Sequence, residues 1–160
     1  MVTAAASAVR EAQARGKGNE GIYCGAALEL KDGTIITGKN SPLLHAASSL
    51  VLNAVKHLAG IPDSIHLLSP HVMTTLSHFK KDILGTRVVS LDLEETLIAL
   101  SISATVNPTA EAAVDQLKHL RGCEAHLTHI PTPGDEAGLR KLGVNLTSDP
   151  LFASKYLFED

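Results

Sequence analysis

Aromatic side chains are nearly missing: they make up 3% of the 160 residues, and there is no tryptophan. A core without rings has to be filled by Leu, Ile, Val and Ala, and hydrophobic residues at 44% supply enough of them for a folded domain. Cysteine is just as scarce. Cys24 and Cys123 are too few for a disulfide framework or a Cys-rich zinc site, so they are expected as free, buried thiols in a reducing cytosol. A surplus of basic charge is also missing. The net charge is −3, against the positive surface a general nucleic-acid binder needs. No run approaches the roughly 20 apolar residues of a membrane span. Met1–Arg10 lacks the apolar core of a secretory leader. A cytoplasmic domain without membrane or nucleic-acid partners is therefore expected. No glycine-rich phosphate loop, dinucleotide fingerprint, zinc-protease helix or serine-nucleophile elbow occurs.

The positive signals begin with alternation. Ile22, Cys24, Ala26, Leu28 and Leu30 share one face of an extended stretch, and Tyr23, Ala27, Glu29 and Lys31 share the other. Asp32-Gly33 supplies a turn and Thr34–Thr37 returns, which is a β-hairpin. Ahead of it, Thr3–Arg15 reads as an Ala-rich helix. Gly16–Gly21 then forms a break, so this helix is expected as a detachable arm or the tail of something longer. Leu43–Ala59 reads as an interior helix, apolar nearly all round, capped by Ser41 with Pro42 in its first turn.

Short strands are expected at 65–68, 87–90, 124–130 and 144–147. Helices are expected from Pro70, Asp92, Asn107 and Gly134, with a capping box at Asp92. The pattern predicts an α/β fold. It is a three-layer α/β/α sandwich on a mixed sheet: an N-terminal antiparallel hairpin, then mostly parallel strands. Residues 1–20 form an N-terminal helix and linker, and 21–160 a single domain.

Several constellations could carry chemistry. Gly38-Lys39-Asn40-Ser41-Pro42 enters the interior helix and is either an ordinary cap with a solvated lysine or an anion site. His45, Ser49 and Asn53, at i, i+4 and i+8 with Ser48 and Lys56 alongside, form a polar stripe on an apolar helix. Such groups need partners, from the backbone, a second subunit or a ligand in a pocket. His71, after Ser69-Pro70, and His129, before Thr132-Pro133-Gly134-Asp135, are both placed at carboxyl ends of strands, where α/β sheets hold their sites. Two histidines make a poor zinc site, so neither metal nor cofactor is expected. Asp92, Glu94, Glu95 and the Asp135-Glu136 pair read as acids favoured at helix starts by the dipole.

Six segments carry a resemblance. They are Gly-Ile-Tyr-Cys-Gly-Ala-Ala-Leu-Glu-Leu (21–30), Thr-Gly-Lys-Asn-Ser-Pro-Leu-Leu-His-Ala-Ala-Ser (37–48), His-Leu-Ala-Gly-Ile-Pro-Asp (57–63), Asn-Pro-Thr-Ala-Glu (107–111), Leu-Arg-Gly-Cys-Glu (120–124) and Arg-Lys-Leu-Gly-Val-Asn-Leu-Thr (140–147). Through them the stretch from Gly21 to Leu157 resembles the C-terminal domain of the bacterial domain-of-unknown-function family 1846. That resemblance implies one domain of a longer protein, whose N-terminal part carries a nucleotide-loop-like segment not present here.

The order of elements also resembles the cytidine-deaminase-like fold. In that fold a His- or Cys-Ala-Glu triplet and a Pro-Cys-x-x-Cys segment hold zinc. The matching positions here are His45-Ala46-Ala47 and Pro70-His71-Val72-Met73-Thr74. Ala47 stands where the proton-shuttling Glu belongs, and His71 and Thr74 replace the thiolates, so deaminase activity is not expected.

Two functions follow. One is a ligand-binding and assembly domain that pairs with another copy or with the missing N-terminal domain. Its small anionic ligand would be held by Lys39, Asn40, Ser41, His45, Ser48, Ser49, Asn53, His71 and His129. The other is part of a nucleotide-dependent enzyme, lending His and Lys residues to a site shared with that N-terminal domain.

Overall fold

The computed structural model describes residues 1–16, 18–19 and 22–152. The chain runs α1 (Val2–Ala14), β1 (Gly25–Glu29), β2 (Ile35–Lys39), α2 (Ala46–Ala59), α3 (Pro70–His78), α4 (Leu93–Ser103), α5 (Pro108–Gln116), β3 (Glu124–Leu127), α6 (Pro133–Lys141) and β4 (Asn145–Ser148). A π turn, Phe79–Ile83, extends α3.

The hairpin forms as its turn chemistry dictates. Gly33 takes φ +88°, Asp32 Oδ1 accepts from Thr34 N–H, and Leu30 N–H donates to Thr34 across the loop. The sheet order is β2-β1-β3-β4. β1 is antiparallel to both neighbours, and β3–β4 is the parallel pair. The sheet is mixed, with helices on both faces. The strands expected at 65–68 and 87–90 are absent. Neither segment pairs with a strand of the sheet, and β1 takes β2 and β3 as its two neighbours. Leu67 and Leu68 still bury their side chains, but from a loop, and Leu91 makes a single parallel bridge to Leu44.

The two faces of the sheet are filled differently. Ala26, Leu28, Ala125 and Leu127 point towards α2, whose Leu50, Val51, Ala54 and Val55 complete an aliphatic core. Gly38 brings α2 unusually close: a Cβ there would overlap the backbone of Leu50 and the Ala46 carbonyl. On the opposite face, Ala5, Ala8 and Ala12 of α1 are buried against β1, and a Cβ at Gly25 would strike the Ala5 carbonyl. The expected detachable arm is therefore a packed outer layer. Its alanines allow the close approach that larger residues would prevent.

Helix starts follow their caps. Ser69 Oγ accepts from Val72 N–H. Asp92 and Glu95 make the expected reciprocal capping box. Asn107 caps α5 with Pro108 next, and Thr132 caps α6. One start is displaced. Ser41 caps only a preceding turn, through Leu43 and Leu44 N–H, and α2 itself opens at Ala46 with His45 as N-cap. No helix among the described residues is long and apolar enough to cross a membrane.

Candidate functional site

Two polar regions meet at the amino end of α2. The first is a groove of about 770 Å³, within the range of small-molecule sites. Lys39, Asn40 and Ser41, leading from β2 towards α2, form one wall with Ser49 and Asn53 of α2. Lys56, His66 and the apolar Leu44, Leu52, Leu67, Leu68 and Met73 close it. Among its described lining residues there are two lysines and no carboxylate.

The polar groups here differ in what they still offer. Asn40 spends both ends of its amide on the strand entry: Oδ1 accepts from Cys24 N–H at 2.8 Å and Nδ2 donates to the Ile22 carbonyl at 2.9 Å. Asn53 Nδ2 donates to the Thr37 carbonyl. Ser41 Oγ accepts two backbone bonds, which leaves its own proton to donate. Lys56 is buried and gives one bond to the Asp63 carbonyl, out of three an ammonium can make. Lys39 pairs with Glu11 of α1 at 3.1 Å, an exposed partner that water and salt weaken.

The second region is buried. Asp135, at the third position of α6, is 0% exposed. Its Oδ2 lies 2.9 Å from His45 Nδ1, and its Oδ1 accepts from Leu93 N–H, the first amide of α4. One carboxylate thus ties together the amino ends of α2, α4 and α6, where three helix dipoles favour negative charge. A proton on Nδ1 lets the ring donate to this carboxylate, which fixes its orientation.

Around this hub stand Asp92, Cys24 and His129. Gly134 lets α6 pass Asp92: a Cβ there would overlap the Asp92 carboxylate. Burial raises the Asp92 carboxyl above its usual value, and the charges of Glu95 and Asp135 add to this. Burial pushes the Cys24 thiol up to about 12, with help from Asp135, so it is no nucleophile at neutral pH. His129 is 6% exposed and its Nδ1 has no hydrogen-bond partner. Burial drives its pKa down to about 4, so the ring is neutral at pH 7. No cluster of three or more His, Cys, Asp or Glu side chains among the described residues could hold a metal ion.

The nine residues singled out in the sequence therefore part company. Lys39, Asn40, Ser41, Ser49 and Asn53 line the groove. His45 and His129 belong to the buried cluster. Ser48 is buried and donates to the Leu91 carbonyl at 3.0 Å, fixing the 90–92 loop onto α2. His71 is exposed on α3 and joins neither region. Sequence reasoning missed Asp135 as the hub, because an acid in a first helical turn is explained by the dipole alone. The signal available was its position just after His129 and the Thr132-Pro133 cap.

The family model described as "Domain of unknown function DUF1846, C-terminal" matches residues 1–158. The chain belongs to this family. The DUF1846 C-terminal domain is 45% identical over 137 residues to a "UPF0371 protein" of Clostridium tetani, covering 86% of this chain and 27% of that protein. It is 48% identical over 132 residues to one of Clostridioides difficile, covering 82% and 26%. A Clostridium botulinum relative is 47% identical over 132 residues, with 82% and 26% covered. The chain thus spans about a quarter of the length of the curated relatives it matches.

Proposed function

We propose that this domain binds a small anionic ligand in the groove beside α2 and performs no deamination. The observation that carries the reading is the groove's charge: Lys39 and Lys56 face a 770 Å³ space with no carboxylate among the described lining residues. Ser41 adds a hydroxyl donor, and the leucines and Met73 offer an apolar wall for the rest of the ligand. An ammonium–anion hydrogen bond in a partly desolvated groove is worth about 1.5–3 kcal/mol. The absence of deaminase chemistry is supported by the alanine at Ala47, buried and without a proton to move, and by His71 on the surface.

Titration calorimetry with inorganic phosphate and pyrophosphate tests this. Lys39→Ala and Lys56→Met should each weaken binding by about tenfold or more, about 1.4 kcal/mol. Binding that is absent, or indifferent to both changes, removes the proposal.

A second reading has one observation in its favour. His129 keeps a buried, unpartnered Nδ1 beside the Asp135–His45 pair, as a group would that completes its bonding only with a substrate. In that reading the domain lends His45, His129 and Lys39 to a nucleotide-dependent site shared with the remainder of a longer protein. Nucleotide turnover by a full-length relative, unchanged by the substitutions corresponding to His45→Ala and His129→Ala, would eliminate it.

A further inference from the structure

We propose, resting on the anionic-ligand reading of the groove, that Glu11 of α1 is a built-in competitor for the groove's ligand. Its carboxylate holds the Lys39 ammonium, and full ligand binding requires its release.

The sheet brings the two residues together. Gly38 of β2 faces α2, because a Cβ there would overlap the Leu50 backbone. Strand alternation turns the next side chain, Lys39, to the opposite face, where α1 packs on β1 and β2. Buried Ala5, Ala8 and Ala12 fix the inner side of α1, and Glu11 stands at its flank. Glu11 Oε2 meets Lys39 Nζ at 3.1 Å, while Oε1 meets the Arg15 guanidinium at 3.0 Å. Arg15 thus steadies the carboxylate that Lys39 uses.

Lys39 nevertheless lines the groove, and so do Gly16 and Gly18, which follow α1. β2 is an edge strand of the sheet. The flexible stem of Lys39 can therefore carry the ammonium round this edge, from Glu11 on the α1 side to an anion on the α2 side. An anion held by Lys39 while Glu11 stays in place would meet a like charge, so ligand and carboxylate compete. The pair can give way, because 46% of the Glu11 side chain is exposed and such pairs are weak.

Lys56 provides the contrast. It is buried and bonds the neutral Asp63 carbonyl, so its share of the ligand is not subject to this competition.

Titration calorimetry with inorganic pyrophosphate at low salt tests the competition through Glu11→Gln, which removes the charge and keeps the shape. Binding should be about two- to fivefold tighter in Glu11→Gln than in the unaltered domain, at an unchanged melting temperature. Glu11→Ala should act in the same direction. Glu11→Gln should also tighten binding in the Lys56→Met background and have no effect in the Lys39→Ala background. A gain that persists in Lys39→Ala overturns the proposal, since it then comes from net charge alone. Unchanged affinity in Glu11→Gln overturns it too. In that case a loss on Lys39→Ala alone leaves the groove reading standing. Binding by neither the unaltered domain nor Glu11→Gln removes both.

Discussion

The groove and the buried cluster share the amino end of α2, yet Lys39 keeps 22% of its side chain exposed while Asp135 keeps none. The groove's two lysines hold single, replaceable bonds: Lys39 to an exposed glutamate, Lys56 to one carbonyl. Asp135 in the cluster holds bonds on which three helix ends depend. The contrast separates polar residues that can be given up to a ligand from those the fold cannot release. It also explains why the histidines, chemically the more attractive residues, are the weaker ligand candidates here.

Removing Asp135 should break the contrast most strongly. Asp135→Ala removes the partner of the partly buried His45 Nδ1 and leaves the buried Leu93 amide without its acceptor. Loss of one member of such a buried network costs about 3–5 kcal/mol. Denaturant titration should show this fall for Asp135→Ala and a change within about 0.5 kcal/mol for Lys39→Ala. Equal effects from the two would erase the distinction.

Gly38 sharpens the comparison, because it is a groove residue that the fold also needs. A Cβ at Gly38 would overlap the α2 backbone, so Gly38→Ala should cost about 3 kcal/mol by forcing helix and sheet apart. Ser49→Ala, on the same groove, should cost far less. The same denaturant titration checks both.

Next in size is a pH effect confined to the cluster. The His129 pKa is about 4 when folded against 6.5 as the ordinary value. Between these limits the unfolded chain binds the extra proton, so stability is full above pH 6.5 and is lost as pH falls towards 4. The upper bound is about 3 kcal/mol, at 1.36 kcal/mol per pKa unit. His129→Phe should flatten this part of the stability–pH profile. A wild-type profile that is already flat from pH 6.5 to 4 would show that the ring is not desolvated.

The smallest expected effect is kinetic. Burial raises both thiols, Cys24 to about 12, so a thiol reagent at pH 8 should label neither in the folded domain and both after denaturation. Rapid labelling of native Cys24 would place the cluster nearer to solvent than its burial indicates.

Much of the fold was legible because local chemistry settled it. Asp32-Gly33 specifies its turn, and Asp92 with Glu95 specifies a helix start that forms as written. The segments at 65–68 and 87–90 misled because apolar composition reports burial, not pairing. Leu67 and Leu68 are buried, but from a loop, and the strand that pairs with β1 beside β2 is β3, far later in the chain.

The site divides along the same line. Lys39, Ser41, Ser49 and Asn53 were found because loop contiguity and helical spacing bring them together. The union of His45 with Asp135, 90 residues apart, depends on how three helices converge, and no local pattern encodes it.

The most direct test is residue-resolved: amide chemical-shift mapping during a titration with inorganic phosphate. The account predicts shifts centred on 37–41, Ser49 and Asn53, with the Leu93 and Asp135 amides unmoved. Shifts centred on Leu93 and Asp135 instead, or none anywhere at saturating phosphate, would contradict it.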